Sequence, residues 1–247
     1  GDSPILRGFG APEGVERETF GFGARRDWRA LRSSHGAPAG FEVFHRNRPW
    51  GQVTLSVPGR HSVANALAAI ALAEGLGIPR SAICEGLRLF PGIERRFQHL
   101  GAVGGIDLVD DYAHHPTELS STLATAREVF PGRRVWAVFQ PHQLGRLRAF
   151  GGAFAAALGA ADGVGLLPIY SVREEASDFP GNLLGELEEG VRRNGVPVVR
   201  FHSLVEASDS LTALMEPGDV CLTLGAGDLR PLTEGLRRRL GGGWSGC

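Results

Sequence analysis

The chain has 247 residues, 43% of them hydrophobic, and a formal charge of -1; that is enough apolar material for one large or two ordinary packed domains, and it excludes a disordered chain or a general nucleic-acid binder. No apolar run reaches the length of a transmembrane helix, because the alanine-rich stretch 64–73 is short and is followed by Glu74 and Gly75. Cys84, Cys221 and Cys247 are far apart and odd in number, which fits a reducing, cytoplasmic compartment and offers no metal-ligand spacing.

Residues 1–60 read as irregular and β-rich. Segments 41–45 and 52–57 alternate loosely on either side of Arg46-Asn47-Arg48-Pro49-Trp50-Gly51, a turn segment, and so predict a hairpin. From His61 to Leu76 the apolar residues Val63, Ala66, Leu67, Ile70, Ala71 and Leu76 predict a helix that Gly77 stops. Ser81 is placed to cap a second helix with Ile83, Leu87 and Phe90 on one face. Pro91-Gly92-Ile93-Glu94-Arg95-Arg96-Phe97 then reads as an inter-domain linker.

Beyond it, strand-like runs at 106–109, 135–139, 164–167, 198–201 and 220–224 alternate with helical stretches at 117–130, 149–158, 183–193, 204–214 and 229–240. Strands separated by helices at this spacing need crossover connections, so this part is expected to be a mostly parallel, helix-covered, Rossmann-like α/β sheet. The glycine-rich tail 241–247 is expected to fray.

The chemistry gathers where strands end. Asp110-Asp111-Tyr112-Ala113-His114-His115-Pro116 follows the run 106–109, and open α/β sheets put their ligands at that rim. Two adjacent acids there are not expected to be buried together, so at least one should face solvent, a cation or a ribose hydroxyl pair. Phe139-Gln140-Pro141-His142-Gln143-Leu144-Gly145-Arg146 adds an imidazole and a cation to the same rim. Gly225-Ala226-Gly227-Asp228 is too sparse in glycine for a dinucleotide fingerprint and reads as a tight strand-to-helix turn. Gly59-Arg60-His61-Ser62-Val63-Ala64-Asn65 offers free backbone N–H groups and, one turn apart, His61 and Asn65 on one face. In Arg95-Arg96, one guanidinium is suited to phosphate oxygens. All 26 Lys and Arg positions are arginine, and a P-loop needs a lysine after its glycines, so no such loop stands in this chain. The start at Gly1, without Met or a targeting segment, suggests that the chain begins inside a longer protein.

In order, Gly59-x-His61, Asn65-Ala66-Leu67-Ala68-Ala69, Arg95-Arg96-Phe97, Asp110 through Glu118, Phe139-Gln140-Pro141-His142 and Gly225-Ala226-Gly227-Asp228 resemble the Mur ligases, and Gly1-Asp2-Ser3-Pro4 resembles a segment of that family's central domain. The resemblance implies that residues 1–93 are the C-terminal part of a central ATP-binding domain and 94–247 the C-terminal domain. It implies an ATP-dependent amide ligation, with Mg²⁺ as cofactor and UDP-N-acetylmuramate and L-alanine as substrates, through an acyl phosphate in peptidoglycan precursor synthesis. The phosphate loop, metal ligands and UDP-sugar domain would lie in a half that this chain lacks, so the isolated chain is expected to be inactive. By motif match, His61 and Asn65 would meet the nucleotide, Asn65 at adenine. Arg96 would meet phosphate or ribose, and Asp111 the ribose; with His114 they make the expected catalytic set. Tyr112, His114, His115, His142 and Arg146 would line the substrate pocket. A murein peptide recycling ligase and a non-catalytic remnant are the alternative readings. The family usually has Asn where Ser62 stands, Arg where Gln143 stands, and often an aromatic at Leu144. Ser62 is still able to cap its helix, whereas Gln143 removes a cation from the amino-acid side.

Overall fold

The computed structural model describes residues 10, 12–32, 38–172, 174 and 179–241. The Gly1-Asp2-Ser3-Pro4 segment, Cys247 and the tail beyond Gly241 lie outside the described residues; Gly241 itself closes the last helix. The chain divides into two compact units, Gly1–Gly92 and Ile93–Cys247.

The first unit is a four-stranded sheet, β1 (Phe20–Gly21), β2 (Trp28–Arg32), β3 (Ala39–His45) and β4 (Arg48–Leu55) in that order, with helices α1 (Arg60–Gly75) and α2 (Arg80–Leu89). The expected hairpin is present but tighter than the sequence suggests. His45 pairs with Arg48 across a turn made of Arg46 (φ 48) and Asn47 (φ 63), the left-handed pair that a two-residue hairpin uses. Pro49 then falls inside β4, which is an edge strand where a missing N–H is tolerated. Trp28, Phe41, Val53 and Leu55 pack against Val63, Leu67 and Ile70 of α1 and Ile83 of α2 in one core.

Three local expectations fail in this unit. Ser62 does not cap α1: Gly59 (φ 97) is the N-cap and no side chain caps that end. Ser81 does not cap α2, which begins one residue earlier behind Pro79, whose ring fixes a suitable φ. Leu76 and Phe90 are 79% and 40% exposed because both fall past the ends of their helices, where the periodic face no longer points at the core.

The second unit is a six-stranded sheet in the order β5-β6-β10-β7-β8-β9. Its strands are β5 (Gln98–Val103), β6 (Ile106–Asp111), β7 (Val135–Phe139), β8 (Gly163–Leu166), β9 (Val198–Arg200) and β10 (Val220–Leu224). All pairings are parallel except β5 with β6. Every residue of β7, β8 and β10 is buried, as strands covered on both faces must be. On one face, α3 (Pro116–Val129), α4 (Leu144–Leu158) and α5 (Leu183–Arg193) bury Leu119, Leu123, Leu147, Phe154 and Leu187 against Val109, Ala137 and Phe139. On the other, α6 (Leu204–Leu214) and α7 (Arg230–Gly241) bury Leu211, Leu232 and Leu236 against Leu108, Val138 and Cys221. Each buried leucine contributes about 1.5–3 kcal/mol, and alternate residues of one strand supply both layers. The mostly parallel α/β reading holds; α4 starts five residues earlier than the periodicity indicates.

Register levels the strand ends. Leu224 is opposite both Asp111 and Phe139, and Phe139 is opposite Leu166, so the loops that follow β6, β7, β8 and β10 leave from one edge.

Candidate functional site

That edge carries the candidate residues of the second unit. β6 runs two residues longer than expected, so Asp110 and Asp111 are strand residues, and both are buried, 5% and 4% exposed. The expectation that two adjacent acids would not be buried together is therefore corrected. The reason is that each carboxylate is supplied with donors, which offset part of the cost of burial. Asp110 meets a cation, Arg95 Nε at 3.0 Å, and accepts the Thr223 hydroxyl at 2.6 Å. Asp111 accepts the N–H groups of Phe97 (2.9 Å) and Ala113 (2.8 Å) and the Thr122 hydroxyl (3.1 Å). Burial pushes the Asp111 carboxyl above its ordinary range, and those donors, with the Arg96 charge, pull it back only in part.

Past β6, Tyr112 and His114 stand edge to face with ring centroids 5.1 Å apart, and His114 meets His142 at 5.9 Å. His114 Nδ1 lies 2.9 Å from the Tyr112 carbonyl oxygen, so Nδ1 carries the proton that is donated there. His115 is the N-cap of α3: its Nδ1 accepts the Thr117 N–H at 3.3 Å, and its ring stands edge to face with Phe150. Glu118 completes the cap by accepting the N–H groups of His114 and His115 at 3.0 and 3.1 Å. Although burial pushes the Glu118 carboxyl up, those N–H groups and the charges of His114 and Arg96 hold it below its usual range.

After β7, Gln140 N–H donates to the Leu224 carbonyl, and His142 bridges in parallel to Tyr170, whose ring stacks on it at 5.7 Å. Gln143 is the N-cap of α4 in a backbone conformation rare for a side-chain-bearing residue, φ 68, and provides no cap. The cap comes from Glu174, whose carboxylate accepts the N–H groups of Leu144 and Gly145. Arg146 therefore stands in the first turn of α4, not in a loop, and its Nη1 lies 3.4 Å from the His114 carbonyl oxygen. Burial first, then the neighbouring Arg146 and His114, push the His142 pKa down, which keeps the ring neutral near pH 7. Its Nδ1 is buried with no hydrogen-bond partner. Gly225 (φ 148) and Gly227 close the edge where an added Cβ would meet Gln140.

Tyr112, His114, His142 and Arg146 are thus brought together. Arg96 lies with its guanidinium 5.6 Å from the Tyr112 ring centroid and 3.5 Å from Glu118. His61 and Asn65 stand on α1 of the first unit, half-buried and exposed respectively. Sequence reading missed Tyr170 and Glu174. Tyr170 follows the carboxyl end of β8, a position that could have flagged it, whereas nothing local ties Glu174 to a helix that begins 30 residues before it.

A family model described as the Mur ligase, glutamate ligase domain, matches residues 95–227. The chain belongs to the Mur ligase family. Among curated Mur ligases it is 41% identical over 236 residues to the UDP-N-acetylmuramate–L-alanine ligase of Nitratidesulfovibrio vulgaris strain DP4, a match that takes in 95% of this chain and 51% of that one. Among solved structures, the UDP-N-acetylmuramate-alanine ligase of Thermotoga maritima is similar with a TM-score of 0.75 at 30% identity, over 90% of this chain and 47% of that one. The murein peptide ligase of Psychrobacter arcticus is similar with a TM-score of 0.60 at 26% identity, over 88% and 45%. The chain spans about half the length of the curated relatives it matches.

Proposed function

We propose that this chain is the C-terminal half of a cytoplasmic enzyme that joins L-alanine to the carboxylate of UDP-N-acetylmuramate at the expense of ATP, through an acyl phosphate. In this reading the first unit is the end of an ATP-binding domain, and the other half of the protein holds the phosphate loop and the UDP-sugar domain. The observation that carries the proposal is the neutral His142 with a buried, unpartnered Nδ1, set among Tyr112, His114 and Arg146. A buried polar atom without a partner is costly unless a ligand satisfies it, and a guanidinium one turn away suits a carboxylate. The names of the relatives, 41% identical over most of the chain, support the choice of substrates.

Arg146 would hold the carboxylate of L-alanine, and Tyr112, His114 and His142 would enclose its amine and exclude water, with His115 holding the wall through its cap. ATP fits the residues present: α1 begins at Gly59 without a side-chain cap, with His61 and Asn65 on its first turns. Arg96 is half exposed, and its guanidinium, 3.5 Å from Glu118, would turn to phosphate oxygens. Among the described residues no group of three His, Cys, Asp or Glu side chains could hold a metal ion. Mg²⁺ would be held by the phosphates of ATP and by the other half of the protein. A murein peptide recycling ligase is the second reading within the family.

The experiment is phosphate release by the ligase that carries this chain, with UDP-N-acetylmuramate, ATP and a panel of amines. Dependence on L-alanine supports the proposal, dependence on a murein tripeptide selects the recycling reading, and no release with any amine makes the chain a remnant. Within the panel, Arg146→Ala should raise the KM for L-alanine about tenfold or more and leave that for ATP nearly unchanged, the loss expected for roughly 1.4 kcal/mol of charge-assisted bonding. Gln143→Arg, which restores the usual cation, should lower it by up to the same factor.

A further inference from the structure

The first turn of α4 has what a carboxylate needs and no acid of its own. Its Leu144 and Gly145 N–H groups lie at the positive end of the helix, and Arg146 adds a guanidinium to the same turn. The carboxylate comes from Glu174, beyond β8, which accepts both N–H groups, that of Gly145 at 3.2 Å. Arg146 turns instead to the His114 carbonyl. The fit is built from several sides. The segment that brings Glu174 is stitched to the loop before α4, with the Gln143 N–H donating to the Tyr170 carbonyl at 2.9 Å and the Tyr170 N–H to the Pro141 carbonyl at 2.8 Å. Position 145 has to be glycine for the carboxylate to approach, because a Cβ there would stand 2.9 Å from Glu174 Oε1 and 3.5 Å from the Phe179 ring. The Ser171 hydroxyl lies 3.4 Å from Oε2. A cap alone needs none of this, since a short side chain at position 143 would serve, as Ser203 does for α6. The Glu174 charge also reaches the pocket: it raises the His142 pKa against the stronger downward effects of burial, Arg146 and His114.

We propose that Glu174 is a specificity-determining residue: by filling the anion position at the start of α4, beside Arg146 and His142, it refuses an amine that carries a second carboxylate. This deepens the reading above and rests on it for one point, that Arg146 holds the carboxylate of the amino acid. Two anion positions then adjoin, one open at the Arg146 guanidinium and one closed by the protein's own acid. Alanine needs only the first. Aspartate, which is alanine with a carboxylate on its methyl carbon, brings its second charge against Glu174 when the N–H groups that would neutralise it are already taken, and two carboxylates that compete for one set of donors repel each other.

Two measurements separate the anion position from that reading. In this chain Glu174→Ala vacates the position, and acetate, compared with chloride at equal ionic strength, should then slow hydrogen exchange at Leu144 and Gly145 by about twofold or more, with no such difference in the unsubstituted chain or in the first turn of α3. Equal exchange in the two salts overturns the proposal, whatever the enzyme ligates. In the ligase that carries this chain, L-aspartate is titrated as an inhibitor of L-alanine-dependent phosphate release. Glu174→Gln keeps the shape and one acceptor oxygen but removes the charge, and it should lower the ratio of the aspartate Ki to the alanine KM by about tenfold or more. Glu174→Asp, which keeps the charge, should hold the ratio near that of the unsubstituted enzyme. A merely structural Glu174 moves both constants together and leaves the ratio unchanged in Glu174→Gln, and that result sinks the selective role. If Arg146→Ala leaves the alanine KM unchanged, it is the pocket reading that fails, and the acetate result still stands for or against the self-filled position.

Discussion

Helices α3 and α4 leave the same sheet edge and pack side by side, yet their first turns are built in different ways. α3 has everything within a few residues: Pro116 at its start, His115 accepting from Thr117, and Glu118 reaching back to the N–H groups of His114 and His115. α4 has no cap of its own. Gln143 stands at its N-cap with φ 68, and the Leu144 and Gly145 N–H groups depend on Glu174, which comes from beyond β8. One half of the rim is organised locally and the other only by tertiary structure. A start that depends on a distant side chain opens more easily than one that closes on itself.

The comparison breaks first at the core. Leu119 of α3 and Leu147 of α4 are both buried, 0% and 2% exposed. Leu119→Ala and Leu147→Ala should therefore cost similar amounts, about 2–5 kcal/mol each by urea denaturation. A large inequality would mean that the two helices differ in packing and not only in how they begin. The caps come next. Glu118→Ala should cost about 1–2 kcal/mol, since two N–H groups lose their acceptor and Arg96 its ion-pair partner, and should unsettle His114 and His115 together. Glu174→Ala should cost less, about 0.5–1 kcal/mol, but should speed hydrogen exchange at Leu144 and Gly145 without touching α3. Equal acceleration in both helices would erase the distinction.

A smaller effect of opposite sign is expected at Gln143. Gln143→Gly relieves the positive φ and should stabilise the second unit by up to about 1 kcal/mol, if the strain outweighs the added chain entropy of glycine. The smallest effect is a pH dependence. The folded pKa of His142 is below its ordinary value, held there by burial and by Arg146 and His114 and opposed by Glu174. As pH falls through about 6.5 the unfolded chain takes up that proton first, so this contribution to stability is present above 6.5 and lost below it. His142→Phe should flatten the decline of Tm between pH 7 and pH 5, and an unchanged slope would assign the decline to other groups.

The same contrast explains what was readable in the sequence. The strands 135–139 and 220–224 and the helices 183–193 and 204–214 were read with the bounds they have, because continuous apolar runs and amphipathic periodicity are local signals. The first turn of α4 was missed because Gly145 and Arg146 break the periodicity and the group that stabilises them lies far along the chain. β5 was missed because its residues are half-exposed and its pairing with β6 slips between His99 and Gly101, which leaves no clean alternation. At the rim, the cluster of Tyr112, His114, His142 and Arg146 was legible from residue type just past strand ends. The joint burial of the two acids of β6 was not legible, since no local pattern reveals that Arg95, Phe97, Thr122 and Thr223 supply their donors.

The central strand carries one more consequence. Cys221 lies in β10 between β6 and β7, fully buried, and burial pushes its thiol up to about 12. The thiolate is the form that attacks a thiol reagent, so in the closed sheet this sulfur is protected both by its neighbours and by its protonation. Cys221 is therefore a built-in clock for the opening of the sheet: with Cys247 replaced by Ser and the half-buried Cys84 already reacted, the remaining slow labelling at this position measures how often β10 parts from its neighbours. A nucleotide or substrate that binds the closed rim should slow that clock in proportion to its occupancy, which gives a binding assay that needs no turnover.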